Sequence, residues 1–380
     1  MTHSPRHPHK IVHLTSVHQP FDTRIFYKEC VSLAQTGYDV VLVAPYDHSK
    51  FVNGVKIRSV PKVKGKKERI RNTIWQVYLA AIDEEGDIYH FHDPELIPIG
   101  FLLKLRGKKV IFDIHEDAPA QILEKEYINP AWLRTVVSKG VRFLEWMSGV
   151  FFDGIISVVP KITEKFPKNK SITLQNYPIL QLIDQVTPAS VPKRKPAMIY
   201  AGGITKIRSA VEIIKAINKI DEQAELWLLG KWETEDLKKS CEILPGWRQV
   251  QYFGFKSLEE TYGHLKSADI GLIIFYPLTN HLIASPNKAF EYMACSLPMI
   301  MSDFPYWREV FEGAAIFVDP QNPDTIADAM TDLLEHPEKA KTLGAAGRRM
   351  VEEKYSWEAE SQKLFAFYEK ILDADKISGN

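Results

Sequence analysis

The sequence predicts an α/β fold of two parallel-sheet lobes, and three observations carry that prediction. A chain of 380 residues is long for one core and ample for two. Short β-branched or aromatic runs alternate with longer stretches of helical period, the pattern of parallel strands covered by helices. The series breaks once, at Thr187 to Pro196, where three prolines and three basic residues stand without an apolar period and read as a linker.

Before the break the expected strands are Ile11 to Thr15, Val40 to Val43, Ile88 to His92, Val110 to Ile114 and Ile155 to Val158. A helix is expected from Arg24 to Gln35, started by Asp22 or Thr23 and stopped by Gly37. After the break, strands are expected at Ile199 to Ala201, Leu226 to Leu229, Val250 to Phe253, Ile270 to Phe275 and Met299 to Met301. Beyond Val318 the pattern is helical, and Trp357 to Ile371 is expected to pack back across the first lobe. The expected division is 1–186, 187–356 and a terminal helix in 357–380.

Composition excludes several classes. Hydrophobic residues at 45% and charged ones at 25% describe a folded globular chain. Lys plus Arg equals Asp plus Glu, 48 each, so no global field favours nucleic acid. Cys30, Cys241 and Cys295 lack metal-ligand spacing and fit a reducing compartment. No apolar core of signal-peptide length follows His3 to Lys10, and no stretch approaches ~20 apolar residues, so a cytoplasmic location is expected.

Three constellations carry chemistry. In Ser285 to Pro298, Ser285 suits an N-cap and Pro286 the first helical position. The N–H groups of Asn287 and Lys288 then form an anion site at the positive end of the helix, with Glu291 one turn below on the same face. A phosphate above and a carboxylate below suit a nucleotide, the carboxylate taking ribose hydroxyls; a plain, well-capped surface helix reads equally well. In Tyr200 to Ser209, Gly202 and Gly203 let backbone approach a ligand, and Lys206 and Arg208 offer cations to a diphosphate, Arg208 being preferred. A βα turn with solvated basic residues is the alternative there.

The third constellation closes two strands of the first lobe: His90, His92 and Asp93 on one, Asp113, His115, Glu116 and Asp117 on the other. His90 and His92 point to one face, so a metal site with Asp93 or Asp113 comes into view. No cysteine joins and the spacing is unspecific, so no metal is expected and His115 is read as a polar substrate contact. A local basic patch adds Lys56, Arg58, Lys62, Lys64, Lys66, Lys67, Arg69 and Arg71 against Glu68, followed by Ile70, Ile74, Trp75 and Tyr78 at helical spacing. It reads either as a contact for anionic lipid at the inner face of the membrane or as a solvated loop. Trp132 to Phe152, with Trp146 and Phe151, raises the same question.

The ordered series HQPFDTRIFYKECVSLAQTGYDVVLVAP, DIYHFHDPELIP, KVIFDIHED, IYAGGITKIRS, LWLLG, QYFGF, LKSADIGLII, SPNKAFEYMACSLPMIMSD and YSW resembles the retaining glycosyltransferases of family 4. The resemblance implies a GT-B fold, two facing Rossmann-like lobes with an interlobe cleft, and a nucleotide-diphosphate sugar as co-substrate with no other cofactor. It implies ribose binding by Glu291, diphosphate contact by Arg208, and a place near the donor sugar for His115. Phe253, Gly254 and Phe255 fall where the family holds the nucleobase, and Gly230 lies in the donor site. The acceptor side takes His18 to Phe21, Asp22, His92 and Asp93. Two positions depart from the pattern: Ile283 stands where many members have a sugar-contacting glutamate, and Gly203 where many have an arginine.

The reaction implied is sugar transfer to a glycan or lipid-linked acceptor with retention, in glycoconjugate or polysaccharide synthesis. An epimerase of the same fold and a non-catalytic sugar-nucleotide-binding subunit stay open. A dehydrogenase is disfavoured, because no G-x-G-x-x-G follows the first strand.

Overall fold

The computed structural model describes residues 9–378 apart from 64, 66–67, 69–71, 125–128 and 284. The chain divides into two compact units, Met1–Asn176 with Ala359–Asn380, and Tyr177–Glu358. The division falls upstream of the linker read from the sequence. The reason is Tyr177, whose ring packs edge-on to Phe290 and Tyr355 and so belongs to the second core.

The first unit is built on β1 (Lys10–Leu14), β2 (Asp39–Pro45), β3 (Lys50–Val52), β4 (Val55–Val60), β5 (Ile88–Phe91), β6 (Lys109–Ile114), β7 (Gly154–Ser157) and β8 (Ser171–Thr173). Their order is β3-β4-β2-β1-β5-β6-β7-β8, parallel throughout except for β3. Near-continuous apolar runs such as Val40 to Ala44 suit strands covered on both faces. The pairing β3–β4 is a hairpin turned by Asn53 and Gly54, both at positive φ. The helix expected after β1 is present, with Asp22 accepting hydrogen bonds from the N–H groups of Arg24 and Ile25. Its first stretch, Thr23–Cys30, is π-wound before Val31–Gln35 continues as α-helix. Residues 359–378 of the last helix close this unit; Phe367 and Ile371 lie against Gly154, where an added Cβ would come within 2.7 Å of the Phe367 ring.

The second unit carries β9 (Ala197–Ala201), β10 (Glu225–Leu229), β11 (Val250–Gly254), β12 (Ile270–Ile273), β13 (Met299–Ser302) and β14 (Ala315–Val318), all parallel, in the order β11-β10-β9-β12-β13-β14. Its core gathers Ile199, Trp227, Leu272, Tyr292, Met293 and Ile300. Fully burying each large apolar side chain stabilises the unit by roughly 1.5–3 kcal/mol before entropy is counted.

In both sheets the strand order reverses direction beside the first strand, between β1 and β5 and between β9 and β12. Ligands of open α/β sheets bind beyond the carboxyl ends of the strands at such a reversal. No described helix is long and apolar enough to cross a membrane.

Candidate functional site

In the second unit three βα turns converge. Gly202 follows β9 at φ +141°, Gly230 follows β10 at φ +137°, and Gly254 ends β11 at φ +70°. They are joined in series, with Gly202 N–H bonded to Leu229 O and Gly230 N–H to Gly254 O, each at 2.8 Å. A Cβ on Gly230 would stand 1.8 Å from the Gly202 carbonyl oxygen, so only glycine fits.

These turns line a pocket of about 500 Å³ whose wall also includes Arg208, Phe255, Asn287, Lys288 and Glu291. Arg208 lies with its guanidinium 5.4 Å from the Phe275 ring centroid and donates to Gly203 O at 3.3 Å. The Lys288 ammonium donates to Ala201 O at 2.7 Å and sits 4.5 Å from the Tyr200 ring centroid. Burial, then the charge of Arg208, lowers Lys288 to about 7. Glu291 accepts from the Tyr262 hydroxyl at 3.4 Å. Two cations and a helix N-terminus on one wall, with a carboxylate beside them, can take a diphosphate and its neighbouring hydroxyls.

Several residues fall elsewhere than the sequence suggested. The helix begins at Asn287 with Pro286 as its N-cap, and Ser285 makes no capping hydrogen bond. Ser285, Pro286, Lys206, Phe253 and Gly254 do not line the pocket; of the three residues expected at the nucleobase only Phe255 does. Lys206 is exposed on the turn, and the Phe253 ring packs against Trp227 and His264. Ile283 is half exposed on the short helix Thr279–Ile283 and also stays off the pocket wall. The wall gains Lys231, Lys256 and Thr261, which no local pattern had singled out. Lys231 is recognisable afterwards as the residue after the glycine that ends LWLLG.

In the first unit the polar residues gather at the carboxyl ends of β1, β5 and β6. Asp113 holds Arg24 in a two-point contact, 2.9 and 3.0 Å, and is 2.9 Å from His115 Nε2 and 3.2 Å from His92 Nδ1. Burial would raise Asp113, but Arg24 and His115 hold it well below the usual carboxylate range. Burial lowers His92 to about 4 against the pull of Asp113, so near neutral pH the ring is uncharged. Asp93 takes the Thr15 hydroxyl at 2.8 Å and the Ser16 N–H at 2.6 Å. His18 lies 3.5 Å from both Asp22 and Asp93, with its ring 5.3 Å from that of His115. Burial alone would lower His18, but Asp22 and Asp93 outweigh it and raise it. Phe21 packs instead against Phe26 and Tyr46, under the Lys50 ammonium.

The basic patch is only partly described. Lys56 pairs with Glu84, Arg58 with Asp83 and Lys62 with Asp47, so these three cations are not an unopposed cluster. Lys64, Lys66, Lys67, Arg69, Ile70 and Arg71 lie outside the described residues, as do His3 and His7.

Solved structures define the class of fold to which this arrangement belongs. The sucrose-phosphate synthase of Thermosynechococcus elongatus matches with a TM-score of 0.73 over 96% of this chain and 100% of that one, at 16% identity. The Anabaena HepE complex with UDP-glucose matches with a TM-score of 0.67 over 98% and 100%, at 11% identity. The fold is the GT-B fold of two Rossmann-like parallel-sheet units. Residues 185–350, within which most of the second unit falls, match the family model "Glycosyl transferases group 1". Among curated proteins, the human alpha-1,3/1,6-mannosyltransferase ALG2 is 23% identical over 244 residues, 64% of this chain and 49% of its own. The chain spans about half the length of its curated relatives or less, between 22% and 49%.

Proposed function

We propose that this chain transfers a sugar from a nucleoside-diphosphate sugar to a glycan or lipid-linked acceptor. The observation that carries the reading is the pocket wall in which Arg208, Lys288 and the start of the helix Asn287–Ala294 face one space, with Glu291 beside them. Arg208 and the helix end take the diphosphate and stabilise the charge that develops as it leaves, while Glu291 takes the ribose hydroxyls. Glu291 binds and is not the base. The fixed cations supply the positive charge, so the transfer needs no metal at the diphosphate. Retention of the anomeric configuration follows from the family-4 resemblance, and in that reading the leaving phosphate accepts the acceptor's proton. The family-4 resemblance assigns the donor sugar to His115, whose Nε2 lies 2.9 Å from Asp113, and the acceptor side to His18, Asp22 and Asp93.

UDP-glucose is the first donor to try, because the HepE structure holds it. The test is a panel of nucleotide sugars with and without glycan and lipid-linked acceptors. Transfer by the unaltered chain, reduced on the order of a hundredfold in kcat by Arg208→Ala, is the expected result. Product formed from donor alone would favour an epimerase, and binding without turnover a sensing subunit.

A lipid-linked acceptor is favoured by one surface. On the helix Ala131–Phe151, Trp132, Val136, Phe143, Trp146 and Val150 form a stripe at helical spacing, each 46–64% exposed, with exposed Lys139 within the stripe and Arg142 at its edge. The proposed setting is the inner face of the membrane, contacted peripherally, in polysaccharide or glycoconjugate synthesis.

A further inference from the structure

Beneath the acceptor-side polar residues, the first unit holds a second cluster, which includes His92; that ring was expected to face the acceptor but is 2% exposed and turned into the interior. His13 on β1 and His90 on β5 are paired in register at the strand reversal, His92 follows β5, and Glu29 comes from the π-wound helix. All four are 0–2% exposed. Both Glu29 carboxylate oxygens lack hydrogen-bond partners. Arg24 Nε stands 3.1 Å from Glu29 Oε1, but the guanidinium directs its hydrogens to Asp113 and the Leu174 carbonyl. A buried carboxylate so placed costs folding free energy unless a cation or a proton meets it.

The geometry points to a cation. We propose that His13, Glu29, His90 and His92 bind a divalent transition metal, zinc in the first instance, in a closed structural site. Glu29 Oε2 lies 3.9 Å from His13 Nδ1, 3.7 Å from His90 Nδ1 and 3.9 Å from His92 Nε2, and the His13 and His92 nitrogens are 3.0 Å apart. One ligand atom from each of the four residues falls within 4.8 Å of every other. Zinc bonds of about 2.0–2.1 Å at tetrahedral angles separate ligand atoms by roughly 3.3 Å, so small adjustments close the site around one ion.

The surroundings suit zinc ligands as well. With His92 Nε2 on the metal, its Nδ1–H points at Asp113 Oδ2, 3.2 Å away, the carboxylate–histidine pairing that orients such rings. With His13 Nδ1 on the metal, its Nε2–H faces the Tyr368 hydroxyl at 3.4 Å. Binding moves His90 Nδ1 from that hydroxyl, now 2.7 Å away, to the metal. Three imidazoles and one carboxylate select zinc over magnesium or calcium, which prefer oxygen ligands. The inference rests on the first unit alone and stands whether or not the transfer reading does.

The experiment measures metal in the full chain after growth with added zinc and exhaustive dialysis. About one zinc per chain is expected, and the cobalt-loaded protein should show the strong visible absorption of tetrahedral cobalt. Glu29→Gln, nearly isosteric, and His13→Ala should lose the metal. The triple variant His3→Gln, His7→Gln, His9→Gln should keep it, which separates this site from chelation by the N-terminal histidines. Unaltered protein that retains no zinc and gives no cobalt spectrum overturns the proposal. So does metal that survives Glu29→Gln and leaves with the triple variant. Because the cobalt spectrum is read on unaltered protein, misfolding of a variant does not blunt the test.

Discussion

Lys288 is the residue whose chemistry most directly links the second unit's fold to ligand binding. Burial and Arg208 lower it from the ordinary 10.5 to about 7. The unfolded chain therefore binds the extra proton between pH 7 and 10.5, and this residue's penalty on stability is complete below 7 and relieved as pH rises above it. A bound diphosphate reverses the bias, since the nearby anion favours the ammonium. UDP binding at pH 8 should take up close to one proton and at pH 6 almost none, measured by titration calorimetry in buffers of different ionisation enthalpy. Affinity should fall as pH rises above 7, and Lys288→Met should abolish both the uptake and that slope. Gly230 tests the pocket's shape: Gly230→Ala pushes a Cβ onto the Gly202 carbonyl at a φ of +137°, and UDP binding should weaken at least tenfold by the same calorimetry. Arg208, Lys288 and Glu291 were legible in the sequence because each sits at a fixed offset from a glycine turn or a helix start. Glu29 and His13 were not, because a carboxylate on a helix meets histidines on two strands only through the sheet's register.

At the scale of elements, burial more than length decided which strands were readable. The omitted strands β3, β4, β8 and β14 all have partly exposed positions, whereas β5, β7, β12 and β13, four residues each, are buried throughout and read as continuous apolar runs. Asn53-Gly54 is a hairpin signal for β3–β4, set among the basic residues Lys50, Lys56 and Arg58. The helix Ala131–Phe151 shows the opposite case, an apolar period that is genuine but whose stripe faces out rather than into a core. Trp146 and Phe143 stack at 5.9 Å while 61% and 56% exposed, an arrangement that leaves apolar surface available to lipid. In co-sedimentation with vesicles containing anionic lipid, the unaltered chain should pellet. Phe143→Glu with Trp146→Glu should remain in the supernatant, because two charges on the buried side of an interfacial helix oppose insertion. If the double variant sediments unchanged, this helix is not the contact.

The molecule as a whole is two cores on one chain, and the last helix returns the chain to the first of them. Phe367 is 4% exposed and packs on Gly154, where the absent side chain makes the room its ring fills. Tyr368 is fully buried beside His90, so the terminal segment is part of that unit's interior rather than an appendage. Phe367→Ala should therefore cost about 3–5 kcal/mol, the range for deleting a buried aromatic ring, and the cost should fall on the first unit. If UDP occupies the second-unit pocket as proposed, it should stabilise that unit by mass action. Differential scanning calorimetry is expected to resolve two transitions. Phe367→Ala should lower one, and saturating UDP should raise the other. If Phe367→Ala lowers and UDP raises one common transition, the two cores unfold as a single cooperative block, and the division of the chain at Asn176 and Ala359 does not describe its stability.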